Sequence, residues 1–93
     1  MEEIKVVQVN GNVEPFSEAK LVNSVKNAFN SVGIEPSDEF IEDVKRKIKE
    51  RLEKTRENSI YSEEISAFIL NGLLERDLMW VYSSWVKFNK RAL

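Results

Sequence analysis

The sequence predicts an α+β fold in one domain over residues 1–93. A short N-terminal β-hairpin, with room for a third short strand, covers a bundle of about four α-helices. Three observations carry this. The β-branched run Ile4 to Val9 stops at Asn10-Gly11, a strong short hairpin signal. Apolar residues then recur at helical spacing through four successive segments. The gaps between those segments carry the Gly, Pro, Ser and acidic residues that stop and restart helices. Ninety-three residues, 42% of them hydrophobic, supply one limited core and little room for a second.

Ile4-Lys5-Val6-Val7-Gln8-Val9 reads as a strand. Asn10 and Gly11 both tolerate positive φ and turn the chain back. Val13-Glu14-Pro15-Phe16 is the return strand. Pro15 lacks a ladder donor, so this strand is expected to be short or to lie at an edge. Ser17 is placed to cap the first helix, with Glu18 complementing its dipole. Leu21, Val25, Ala28, Phe29 and Val32 mark the buried face of that helix, and Gly33 supplies a left-handed stop. Pro36 and Ser37 restart the chain. Phe40, Ile41, Val44, Ile48 and Leu52 then form a stripe through a highly charged second helix, which breaks at Glu57-Asn58-Ser59. Ser62-Glu63-Glu64 opens a third helix with Ile65, Phe68, Ile69 and Leu73 on its core face. Gly72 weakens that helix by roughly 1 kcal/mol relative to Ala, which suggests close packing there. Asp77 is placed to cap a last helix, whose core stripe is Leu78, Val81, Trp85 and Phe88.

Composition excludes several chemistries. There is no Cys and no His, so disulfides, thiolate or imidazole metal sites, cysteine nucleophiles and His-based triads are absent. Three glycines are too few for a Gly-rich phosphate loop of the Walker or Rossmann kind. A net charge of −2 argues against nucleic acid as a partner. No apolar run approaches the roughly 20 residues of a membrane span, and the acidic start Met1-Glu2-Glu3 is unlike a signal peptide. A cytoplasmic domain that is not an enzyme is expected. The basic run Lys45 to Arg56 is interleaved with Glu50 and Glu53, with Glu57 just beyond, as in a solvated helix face. Glu63-Glu64 suits a helix first turn without any acid–base role. The last helix is less ordinary. Met79, Trp80, Tyr82 and Val86 add a second apolar surface beside its core stripe. Met79, Tyr82 and Val86 share one face, which is expected to meet a second copy or a protein partner.

The hairpin ending in Asn10-Gly11, followed by Val13-Glu14-Pro15-Phe16-Ser17 and Lys20-Leu21, resembles the opening of the ATP-cone domain. Ser62-Glu63-Glu64-Ile65 is similar to the start of that family's third helix. Trp80 through Phe88 to Lys90-Arg91 resembles its last helix. The likeness spans essentially the whole chain. It implies a regulatory module of the kind found at the N-terminus of ribonucleotide reductase large subunits and in the repressor of reductase genes. Such modules bind ATP or dATP and switch oligomeric state. Mg²⁺ would enter only as the counter-ion of the nucleotide.

The resemblance also implies a site. In the family the first strand ends in Lys-Arg-Asp/Asn-Gly, and the two cations help hold the phosphates. The matching residues here are Gln8, Val9, Asn10 and Gly11, so the turn is kept and both cations are replaced. Two charge-assisted hydrogen-bonding groups at ~1.5–3 kcal/mol each amount to about a hundredfold or more in affinity. Lys20 matches the Lys of the first helix that points toward the phosphates, and it is expected to be their main remaining contact. Glu14 and Ser17 match polar positions near base and sugar. Ser62 and Ser66 match polar positions lining the pocket, and Lys90 and Arg91 match the basic end of the last helix. Taken singly, Ser17 and Ser62 read first as helix caps, and only the joint placement of these residues with Lys20 gives the site reading weight. Two further readings stand beside an adenine-nucleotide site. One is a degenerate ATP-cone fold that serves only as a protein–protein interaction module, with a reductase as one such partner. The other is a small DNA-binding regulator, which the net charge disfavours.

Overall fold

The computed structural model describes residues 3–30 and 32–84. Three strands, β1 (Lys5–Val7), β2 (Val13–Pro15) and β3 (Ser59–Tyr61), form one sheet in the order β2-β1-β3. Helices α1 (Glu18–Asn30), α2 (Asp38–Thr55) and α3 (Ser62–Glu75) follow or separate them. A fourth helical segment, α4, is described over residues 79–84. The α+β architecture of a small sheet and four helices is as the sequence predicts, and the third strand is present.

β1 is the central strand. It pairs antiparallel with β2, Val6 opposite Glu14, and parallel with β3, Val6 opposite Ile60. Pro15 lies on the edge strand. Its neighbour Phe16 donates its N–H inward to Ile4, 2.8 Å, so position 15 faces the open edge, where a missing donor costs nothing. The hairpin turn differs from a two-residue loop with two positive φ values. Gly11 donates to the Gln8 carbonyl at 2.9 Å, Gln8 to that of Asn12 at 2.8 Å, and only Gly11 takes positive φ, +90°. This is a type I turn closed by a left-handed glycine, a three-residue loop. The Asn10 side chain accepts from the Asn12 N–H and stabilises it.

Five of the described helix ends have an identifiable cause. Ser17 Oγ accepts from the Lys20 N–H at 3.3 Å and Ser37 Oγ from the Phe40 N–H at 3.2 Å. Gly33, at φ +73°, closes α1 while Ile34 donates back to Phe29. At α3 the cap residue is Tyr61, whose N–H is taken by the Glu64 carboxylate at 2.9 Å. The expected cap role of Asp77 is a misplacement. Asp77 takes φ +59° as the left-handed residue that ends α3, with its N–H on Leu74 and that of Leu78 on Leu73. That is a Schellman closure with Asp where Gly is usual, and it delays the next helix to residue 79.

The core gathers Val6 and Ile60 from the sheet, Leu21, Val25 and Phe29 from α1, Phe40, Val44, Ile48 and Leu52 from α2, and Ile69 and Leu73 from α3. Val81 of α4 is fully buried with them. Phe40 is the pivot. Its ring meets Phe29 edge-on, centroids 5.1 Å apart, and the Arg76 guanidinium lies 4.9 Å from its centroid. A Cβ on Gly72 would come within 2.9 Å of the same ring, which is the close packing the sequence suggested. Charged groups brace the helices from outside. Arg51 of α2 holds Glu64 of α3 through two bonds of 2.8 and 3.1 Å, Arg76 holds Asp43 at 2.7 Å, and Lys47 holds Glu75 at 2.7 Å. Lys45 pairs with Glu18 of α1 and with Glu42. Much of the basic run is thus spent on carboxylates, as its interleaving with glutamates implies.

Candidate functional site

Between the inner face of β1 and β2 and the helices α1 and α3 lies a cleft of about 350 Å³, within the range of small-molecule sites. The strand alternation puts Val6, Gln8 and Glu14 on the side facing it. The first turns of α1 and α3 bring Ser17, Lys20, Ser62 and Ser66 to its walls. Six residues scattered through the sequence, Gln8, Glu14, Ser17, Lys20, Ser62 and Ser66, therefore line one cavity.

Two lining residues escaped the sequence reading, Ser24 and Asn27. They follow Lys20 at i+4 and i+7, so extending one helix face from Lys20 would have found them. Buried Leu21 and Ile69 and half-buried Phe16 and Ile65 make an apolar lining behind the polar rim.

The electrostatics of the cleft centre on Glu14. Its Oε1 accepts from Gln8 Nε2 at 2.8 Å, and its Oε2 lies 3.3 Å from Lys20 Nζ. One carboxylate on β2 thus links Gln8, just beyond β1, to α1. Ser17 lines the cleft and also caps α1. Ser62 lines the cleft without capping α3, where that place belongs to Tyr61.

Other expected positions lie elsewhere. Val9, Asn10 and Gly11 form the exposed tip of the hairpin and do not line the cleft. Val9 is 79% exposed. Lys90 and Arg91 lie outside the described residues, as do Trp85, Val86 and Phe88. Of the expected interface face, Met79 is exposed and so is the adjacent Trp80, but Tyr82 is half-buried and packs against the core. The physical reason is the short link between α3 and α4. It turns the first turn of α4 back so that Leu78, Val81 and Tyr82 all meet the bundle.

Among the described residues, no group of three or more Asp, Glu, His or Cys is placed to hold a metal ion. Nor is any helix among them long and apolar enough to cross a membrane.

The family model described as the ATP cone domain matches residues 4–91. The transcriptional repressor NrdR of Bartonella henselae is 35% identical over 77 residues, which cover 83% of this chain and 47% of the repressor. The chain therefore spans about half the length of that curated relative. Similarity to a transcriptional repressor withdraws support from the argument that the net charge makes against nucleic acid.

Proposed function

The chain belongs to the ATP-cone family, and from that premise we propose that it is a regulatory domain which binds an adenine nucleotide, ATP or dATP, in the cleft between the hairpin and helices α1 and α3. The observation that carries the proposal is the convergence of Gln8, Glu14, Ser17, Lys20, Ser62 and Ser66 on one cavity of ligand size. In this reading the domain is a sensor without catalytic work of its own. Nucleotide occupancy alters how the protein meets a second copy, a partner such as a reductase, or an operator when the domain is part of a repressor like its relative. Mg²⁺ enters only with the nucleotide.

The test is a titration of the domain with ATP and dATP followed by amide NMR shifts. Ser17, Ser24, Ser62 and Ser66 should move together and saturate, while amides of the α2 outer face stay still. Shifts confined to surface lysines would remove the cleft from the proposal. The reading as an interaction module without ligand is favoured by one observation. Lys20 is the single cation among the described residues lining the cleft, and Glu14 already holds it.

A further inference from the structure

Neutral hydrogen-bonding groups dominate the described lining of the cleft. Ser17, Ser24, Asn27, Ser62 and Ser66 line it together with Gln8, over the apolar side chains of Val6, Leu21 and Ile69. Hydroxyls and amides of this kind read base edges and sugar hydroxyls, and an apolar floor accepts a flat ring. The charged groups among its described lining residues are Glu14 and Lys20, and they oppose each other at 3.3 Å. The other oxygen of Glu14 is held by Gln8 at 2.8 Å. A phosphate arriving beside Lys20 meets this fixed carboxylate and must displace it or suffer its repulsion. Lys20 itself is 67% exposed, so even when released it offers one solvent-screened charge.

We infer that this cleft takes its ligand by the nucleoside end, with an affinity nearly independent of phosphate number, and that Glu14 sets this preference by holding Lys20. The inference rests on the adenine-nucleotide reading above and names the ligand class of the same cleft: nucleosides and nucleotides alike, with no premium for a triphosphate.

Adenosine, AMP and ATP are to be titrated into the whole chain by calorimetry or NMR, at low and at physiological salt. The expected result is three affinities within about fivefold of one another, the size of an exposed ion pair, and little salt dependence. Glu14→Gln keeps the shape and an oxygen for Gln8 but frees Lys20. It should strengthen ATP severalfold relative to adenosine measured on the same variant. If circular dichroism shows that Glu14→Gln does not fold, Lys20→Ala decides the matter, since ATP should then lose less than about fivefold. Wild-type ATP binding more than about tenfold tighter than adenosine, or a comparable loss in Lys20→Ala, overturns the inference and leaves the nucleotide reading standing. If none of the three ligands binds at millimolar concentration, the nucleotide reading fails, and the inference with it.

Discussion

Glu14 and Gln8 show how one residue changes the meaning of another. With a Lys at position 8 a cation would sit just beyond β1, against the Glu14 carboxylate. With Gln there the same carboxylate turns to Lys20 and cancels it. Gln8→Lys should therefore raise ATP affinity by about tenfold and leave adenosine unchanged, as calorimetry would show. Val9→Arg alone should change ATP binding by less than about threefold, because position 9 sits at the exposed tip outside the cleft. An equal gain from either variant would mean that the tip folds over the ligand. Gly72 makes the opposite point in the core. Ala gains roughly 1 kcal/mol of helix propensity, but its Cβ would stand 2.9 Å from a Phe40 ring already fixed between Phe29 and Arg76. Overpacking costs about 1–3 kcal/mol, so Gly72→Ala should lower the urea midpoint, and a rise would show that the Phe40 ring yields.

Among the elements, the ion pairs between α2 and α3 give stability a defined acid limb. The hydrogen bond from Arg76 holds Asp43 below the ordinary carboxylate value of 3.8, aided by Arg46 and Lys47 and opposed by slight burial. Glu64 is pushed up by its partial burial, but the Arg51 guanidinium and the Tyr61 N–H outweigh that and leave it below 4.5. Both carboxylates are thus more acidic folded than unfolded. The unfolded chain binds the extra protons as pH falls, so their stabilisation is complete above about pH 4.5 and is lost on going through the folded values. Urea midpoints should fall below that pH, and more shallowly in Glu64→Gln; an unchanged slope would mean that Glu64 titrates alike in both states. Local signals in the sequence account for most element boundaries, since Ser17, Gly33 and Ser37 act on their own neighbours. They do not reveal β3, because Ser59-Ile60-Tyr61 is too short for alternation and is defined by its pairing with β1. Nor do they show that Asp77 ends α3, since an Asp before an apolar stripe signals a helix start until its left-handed backbone is seen.

At the scale of the whole molecule, four positions matched to the family opening, Gln8, Glu14, Ser17 and Lys20, share one cavity with Ser62 and Ser66 of α3. The matched tip, Val9 to Gly11, does not, because the turn carries it away from the helices. Position in a motif is legible in sequence, while the direction a turn takes is decided by backbone hydrogen bonds. The proposed action through a second copy is carried by exposed Met79 and Trp80 on α4. Met79→Lys should shift the sedimentation profile toward monomer at high concentration with little change in helicity, since position 79 is exposed in the single chain. A wild type that is monomeric with and without ATP would end the self-association proposal and leave a different partner to act on that surface.

The parallel pairing of β1 with β3 has a consequence for the order of events during folding. It joins residues 5–7 to residues 59–61, so the sheet closes a loop of roughly fifty residues that contains α1 and α2. Such closure costs about 3–4 kcal/mol of chain entropy, which helices made of local contacts do not incur. Of the three described strands, the earliest in the chain therefore waits for the latest before it gains its second neighbour. Until β3 docks, α3 has no anchor against the sheet and the wall carrying Ser62 and Ser66 is missing. The proposed ligand recognition would in this sense be the final product of folding: a stopped-flow experiment should register helical signal before any protection of the β1 amides, and any nucleotide response only with the latter.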